Sequence, residues 1–236
     1  MIDKRVASPA DAVTDIPDGA TVMIGGFGEA GSPIELIHAL IDHGAKNLTV
    51  VNNNTGSGEV GLAALIKAER VSRMICSYPR TANSTVFPEL YGAGKVELDL
   101  VPQGTLAERI RAGGAGIPGF YTPTSVGTPL AEGKEHREFD GREYVLERGL
   151  VADFTLIKCK SADPYGNLVF NKTARNFSPL MAMAGEVTIA QADEVVAAGD
   201  IDPECVVTPG IFVDRVVEVT NPMQESDLVA RGVSYP

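Results

Sequence analysis

One repeated order constrains this chain more than any other feature. A short, uniformly apolar run is followed by a turn and then by a segment with helical spacing. Residues 21–26, TVMIGG, come after the turn pair Asp18-Gly19 and read as a buried strand. Ser32-Pro33 then opens IELIHALIDHG. Serine is a good N-cap, and proline is preformed for the first helical position. Ile34, Leu36, Ile37, Leu40 and Ile41 fall on one helical face, and Gly44 supplies the stop. The order recurs: strand patterns at 48–51, 73–77 and 96–102, helix patterns at 59–68 and 105–113. Alternation of this kind predicts an α/β fold with an open, mostly parallel sheet and helices on both faces. Strands that are apolar throughout, rather than alternating, agree with burial on both sides.

The pattern changes after residue 112. Residues 113–129, GGAGIPGFYTPTSVGTP, are rich in Gly and Pro and read as a long loop without periodicity, a type that is usually functional or disordered. Asp140-Gly141 between REF and REYVL predicts a hairpin. A second turn, residues 163–167, joins FTLIKCK to NLVF, and residues 178–198 mix helix and strand patterns. From residue 221 the apolar pattern fades, which predicts a loosely held tail. No internal repeat or linker is visible, so one domain over residues 1–236 is expected.

Composition narrows the function classes. A net charge of −11 argues against binding nucleic acid. No apolar run approaches the roughly 20 residues that span a bilayer. The N-terminus has no signal-peptide pattern, and a cytoplasmic location is expected. Cys76, Cys159 and Cys205 are widely spaced, with no CxxC and no Cys/His cluster. Buried, reduced thiols are expected, and no metal site.

Residues 26–31, Gly-Phe-Gly-Glu-Ala-Gly, fit the G-x-G-x-x-G pattern between a strand and a helix. Such a loop lets backbone amides approach an anion at a helix N-terminus. A dinucleotide site also needs an acidic residue near the end of the second strand, about 20 residues on. Asn52-Asn53-Asn54 occupy that place, so the pattern does not predict an NAD site.

Taken together, residues 18–33, Asp-Gly-Ala-Thr-Val-Met-Ile-Gly-Gly-Phe-Gly-Glu-Ala-Gly-Ser-Pro, resemble the first signature of the family I CoA-transferases. Asn53-Asn54, the run PQGTLAERIR from Pro102, the loop GGAGIPGFYTPTSVGT, Glu132-Gly133-Lys134 and Ala174-Arg175-Asn176-Phe177 also resemble that family, in the same order. The likeness covers about residues 1–217 and is strongest to the A (alpha) subunits of the 3-oxoadipate and 3-oxoacid enzymes.

The resemblance implies transfer of CoA from succinyl-CoA to a 3-oxo acid through a glutamyl-CoA thioester, with CoA and succinyl-CoA as substrates and no cofactor. It implies a partner, the CoA-transferase B subunit, in an A2B2 heterotetramer or AB heterodimer. In that family the nucleophilic glutamate lies in a Ser-Glu-Asn-Gly type motif of the B subunit, which does not occur here. The segment 56–80 is more similar to the 3-oxoadipate enzymes than to those for acetoacetate or short-chain acids.

The resemblance also implies roles. Gly25, Gly26, Phe27, Gly28, Glu29, Ala30 and Gly31 would shape the rim where CoA or acyl substrate approaches. Gln103, after a strand, would orient the partner's glutamate. Asn53 and Asn54 would be polar donors at a strand end, although an Asx turn explains a run of asparagines equally well. Loop 113–128 could cover the site. His38 and His43 have no nucleophile or metal partner in view. Lys134, Lys158 and Arg175 could meet phosphates, but surface ion pairs explain them more simply. Two other readings remain: a sugar-phosphate isomerase or deaminase on a related sheet, and a non-enzymatic module that binds CoA esters or nucleotides.

Overall fold

The computed structural model describes residues 2–81 and 83–235. The strands are β1 (Arg5–Val6), β2 (Thr21–Ile24), β3 (Leu48–Val51), β4 (Val71–Cys76), β5 (Glu97–Leu100), β6 (Gly119–Thr122), β7 (His136–Phe139), β8 (Arg142–Arg148), β9 (Ala152–Ala162), β10 (Leu168–Val169), β11 (Gly185–Val195) and β12 (Arg215–Glu218). The helices are α1 (Pro9–Ala12), α2 (Ile34–His43), α3 (Gly61–Lys67), α4 (Val86–Gly92), α5 (Gln103–Gly114), α6 (Ser178–Ala184) and α7 (Glu225–Ala230).

The main sheet has the order β1-β12-β11-β9-β2-β3-β4-β5 and is parallel along that path, with β10 antiparallel on β9. Strand residues alternate between two cores, as the pleat requires. Val22, Ile24, Val50, Met74 and Leu156 enter a core with α2 and α3. Met23, Val51, Ile75 and Ile157 enter the opposite core with α5 and α6. Both faces are covered, which is why these strands read as uniformly apolar.

The expected α/β architecture is therefore present, with local differences. Helix α2 ends on Gly44 in the left-handed region (φ 90°), as expected. Its N-cap is Pro33, one position later than the Ser-cap reading, and no side chain caps it. Helix α4 was hidden by Pro88 within VFPELYG. Segment 113–129 is not structureless: β6 lies inside it and pairs antiparallel with β8, giving a small sheet in the order β6-β8-β7. Asp140 and Gly141 both have positive φ, as the β7–β8 turn demands.

The tail differs from its expectation as well. Helix α7 docks, Tyr235 stacks on His38 with ring centroids 3.7 Å apart, and the Tyr235 backbone N–H donates to the Glu59 carbonyl at 2.9 Å. These aromatic and backbone contacts have no apolar periodicity to announce them. Cys76 and Cys159 are buried, and burial pushes the Cys76 thiol up to about 12; Cys205 is exposed, against the expectation of three buried thiols.

Candidate functional site

Strand order decides where a ligand can sit. From β2 the chain proceeds outward through β3, β4 and β5, while from β9 it proceeds the other way through β11 and β12. The switch between β2 and β9 opens a crevice at the carboxyl ends of the strands, the usual ligand position in open α/β sheets. The glycine loop leaves β2 at this point.

The loop is a tightly packed device. Gly26 (φ 125°) and Gly31 (φ 79°) occupy backbone regions that side chains disfavour. A Cβ on Gly31 would collide with the Ala174 carbonyl. Asn176 clamps the loop: its Oδ1 accepts from the Gly26 N–H at 3.3 Å, and its Nδ2 donates to the Ala30 carbonyl at 2.8 Å. The amides of Gly25, Phe27 and Ser32 also bond within the protein. Much of the loop's donor capacity is thus spent on its own shape, and Phe27 stands exposed at its tip. The Glu29 carboxylate is tied to the C-terminal segment: it accepts from the Ser226 backbone N–H and hydroxyl at 3.2 and 3.1 Å.

Beside the loop lies a pocket of about 450 Å³ at the switch point, lined by Glu29, Gly31, Lys158, Lys160, Lys172 and Asp193, among others. Lys158 stands 3.6 Å from Asp193. Lys172 has φ 52°, a strained backbone for a lysine and common near functional sites.

Asn53, Ser77 and Gln103 meet at the neighbouring strand ends. Asn53 Oδ1 accepts from Gln103 Nε2 at 2.8 Å and from Ser77 Oγ at 2.7 Å. The two donors fix the amide plane. Because the oxygen is doubly engaged, the Nδ2 group is the face that Asn53 has left to offer a ligand. Gln103 is the first residue of the 12-residue α5, so the positive end of that helix lies at the network. Asn53 is buried and Gln103 is exposed, which places the pair at the floor and the opening of one site.

Asn54 and Asn52 behave differently. Asn52 Oδ1 accepts from the Asn54 N–H, and Asn54 Oδ1 accepts from the Gly56 N–H, both at 2.8 Å. These are Asx turns that shape the loop after β3. Of the expected residues, Asn53 and Gln103 therefore come together, Asn54 supports them, and the glycine loop forms the adjoining wall. Ser77 was not singled out from the sequence, although its place directly after β4 is the same kind of strand-end position. Asn176 lies in the Ala174-Arg175-Asn176-Phe177 segment, where nothing in the sequence marks it as the clamp of the glycine loop.

Several other charged and polar residues are engaged within the fold. Lys134 pairs with the buried Glu147 at 2.5 Å, and Glu108 pairs with Arg111 at 2.7 Å. Glu35 accepts from Gln191 Nε2 and the Met223 N–H, each at 2.5 Å. His38 accepts from the Gly61 N–H at 3.0 Å, and burial holds its pKa down at about 4, so it stays neutral. His43 bonds the Thr14 carbonyl at 3.1 Å. Among the described residues no group of three or more His, Cys, Asp or Glu could hold a metal, and no helix is long and apolar enough to cross a membrane.

Comparison with known proteins agrees with this geometry. The family model "Coenzyme A transferase" matches residues 6–219. The chain is 59% identical over 220 residues to the A subunit of 3-oxoadipate CoA-transferase from Pseudomonas putida, covering 93% of this chain and 95% of that protein. It is 53% identical over 214 residues to the A subunit of a probable succinyl-CoA:3-ketoacid coenzyme A transferase from Bacillus subtilis, covering 91% of this chain and 89% of that protein. An acyl-CoA transferase apoenzyme from Escherichia coli O157:H7 superposes with a TM-score of 0.83 at 25% identity. The superposition covers 94% of this chain and 48% of that one, so this chain spans about half the length of that structure. The strand order, the clamped glycine loop and the matched sequence give one answer: the chain belongs to the coenzyme A transferase family.

Proposed function

We propose that this chain is the A subunit of a two-subunit CoA-transferase that moves CoA from succinyl-CoA to 3-oxoadipate, with the nucleophilic glutamate on the B subunit. The observation that carries the reading is the Gln103–Asn53–Ser77 network: neutral donors held rigidly at a strand-end opening, with no carboxylate of the described residues in the network. Such a site suits orientation of a reacting carboxylate and of a thioester oxygen, while the nucleophile comes from outside.

The chemistry runs in balanced steps. The partner's glutamate attacks the succinyl-CoA carbonyl, the C–S bond breaks, and an acyl anhydride and CoA thiolate form. The thiolate attacks the glutamyl carbonyl of the anhydride and releases succinate, leaving a glutamyl-CoA thioester. The acceptor carboxylate then attacks that thioester, and the steps reverse to give the new acyl-CoA. Each tetrahedral intermediate carries an oxyanion, and the Asn53 Nδ2 group, the donor left over once Oδ1 is engaged, would serve one of them. Gln103 holds the glutamate near its attack position without the strong charge stabilisation a lysine would impose. A cover over the site keeps water from the anhydride and the thioester; segment 113–128 beside α5 is suited to that part. No cofactor enters any step.

The names of the relatives support both the substrate class and a division into two subunits. An A2B2 heterotetramer or AB heterodimer is the expected assembly. The test is CoA exchange between succinyl-CoA and 3-oxoadipate by this chain, purified with and without its B subunit. The pair should turn over and the single chain should not. Comparable turnover by the single chain would refute the reading. Efficient use of acetoacetate with none of 3-oxoadipate would transfer the enzyme to the 3-oxoacid class.

A further inference from the structure

A dicarboxylic 3-oxo acid brings a charge that the reaction does not consume. One carboxylate receives CoA, and the other stays ionised while the site closes over it. An unpaired charge taken from water is expensive, so a cation should meet it. The segments that leave β2, β3, β4 and β5 at the site's edge, residues 25–33, 52–60, 77–85 and 101–102, contain a single basic residue, Arg80.

The backbone around Arg80 is fixed to the Asn53 loop from both sides. The N–H groups of Ser77 and Tyr78 donate to the Asn53 carbonyl at 3.2 and 3.0 Å. Thr55 Oγ1 donates to the Pro79 carbonyl at 3.0 Å, and Thr81 Oγ1 donates to the Gly56 carbonyl at 2.8 Å. The Arg80 side chain is exposed, and among the described residues it makes no ion pair and no hydrogen bond. It lines a groove of about 260 Å³ whose other walls are Pro79, Phe87, Pro88, Tyr91 and Leu98, none of which can neutralise it. Several other arginines on this chain are already paired, as in Arg73–Asp99, Arg111–Glu108 and Arg215–Asp15. Lys158, Lys160 and Lys172 lie across the glycine loop in the switch-point pocket, and Lys158 already faces Asp193.

From these placements we infer that Arg80 is a specificity-determining residue that grips the distal carboxylate of the acyl acceptor and so favours a dicarboxylic over a monocarboxylic 3-oxo acid. Two extended residues span at most about 7 Å, the scale on which the two carboxyl groups of a six-carbon dicarboxylic acid stand apart. Arg80 sits two residues beyond Tyr78, whose amide is tied to Asn53. The planar guanidinium can meet a carboxylate with two parallel hydrogen bonds, which lysine cannot do. Succinyl-CoA also carries a free carboxylate. Its carboxylate stands two carbons closer to the reacting carbonyl than that of 3-oxoadipate, so the contact proposed here concerns the acceptor.

This inference rests on the transferase reading above, and its test separates the two. In ping-pong kinetics kcat/KM for the acceptor reports only the acceptor half-reaction. The assembled complex is assayed with succinyl-CoA as donor and with 3-oxoadipate or acetoacetate as acceptor, for the native chain, Arg80→Met and Arg80→Lys. In Arg80→Met the ratio of kcat/KM for 3-oxoadipate to that for acetoacetate should fall about 10- to 100-fold, the range for loss of a charge-assisted pair. Arg80→Lys should fall between the two. An unmoved ratio in Arg80→Met overturns the inference and places the distal carboxylate on the lysine side or on the partner. Equal losses on both acceptors overturn it too, because they mark a general role. A native complex that ignores 3-oxoadipate overturns the substrate reading itself, and this inference with it.

Discussion

Glu225→Gln makes the protein less sensitive to rising pH, and the size of the effect follows from where Glu225 sits. The residue begins α7, is 3% exposed, and packs over Gly61 at the start of α3. Burial first, and then the nearby Glu29 carboxylate, raise its pKa from 4.5 to about 7. The folded protein thus holds a proton that the unfolded chain releases above about pH 4.5. Below that pH both states are protonated and the group contributes nothing. Between about 4.5 and 7 the unfolded state gains by ionising, so folding stability falls as pH rises. Above 7 the loss is complete, and a shift of this size corresponds to at most about 3 kcal/mol. A glutamine at this position would remain neutral throughout and avoid that loss. His38, held neutral at a pKa of about 4, acts in the opposite sense: its burial weakens the fold as pH drops from 6.5 through 4. The useful quantity is therefore the difference between variant and native protein. Urea unfolding at pH 5 and pH 8, with hydrogen exchange over residues 225–235, supplies it. The variant should gain on the native protein between the two pH values, by up to about 3 kcal/mol, with slower exchange in α7 at pH 8. The same difference at both pH values would show that Glu225 is not a buried acid and that the tail is not docked as described.

Other substitutions probe the site and its support. Gln103→Ala removes one donor from the Asn53 network and should lower kcat of the assembled enzyme by on the order of 10²-fold, with assembly retained on gel filtration. Gln103→Glu should be worse, because a second carboxylate beside the partner's raises its pKa and repels its anion; near-normal kcat in Gln103→Ala would make Gln103 a packing group. Gly31→Ala puts a Cβ into the Ala174 carbonyl at φ 79°. It should destabilise the fold by about 2–4 kcal/mol in urea unfolding, through the left-handed backbone and the overpacking together.

Much of this arrangement could be read in the sequence, for identifiable reasons. Strands β2 and β3 are almost wholly buried, and β4 and β9 carry long buried stretches, so their side chains are mostly apolar and the sheet announces itself. Gly44 and Asp140-Gly141 were legible because few residues take a left-handed backbone without strain. Gln103 and Asn53 could be flagged singly as strand-end residues, but their meeting depends on β3, β4 and β5 lying side by side, which no local pattern states. Ser77 was overlooked for the same reason. Strand β6 escaped because four residues between glycines and prolines carry no periodicity, and its partner β8 begins some 20 residues later. The tail misled because it docks through Tyr235, Ser226 and backbone bonds rather than an apolar stripe. Glu29 reads from the sequence only as part of the glycine-loop rim; in the structure its carboxylate also anchors Ser226, a contact 197 residues along the chain that no local pattern states.

If this chain orients a nucleophile that it does not carry, the covalent intermediate must form on the B subunit, and trapping that intermediate shows where it forms. The complex with the B subunit is incubated with succinyl-CoA, and the glutamyl-CoA thioester is reduced with borohydride or cleaved with hydroxylamine. Peptide mapping by mass spectrometry then locates the modified residue. One modified glutamate is expected on the partner and none on this chain, with the yield reduced in Gln103→Ala. Modification of any glutamate of this chain, Glu29 above all, would contradict it and move the nucleophile into the glycine loop.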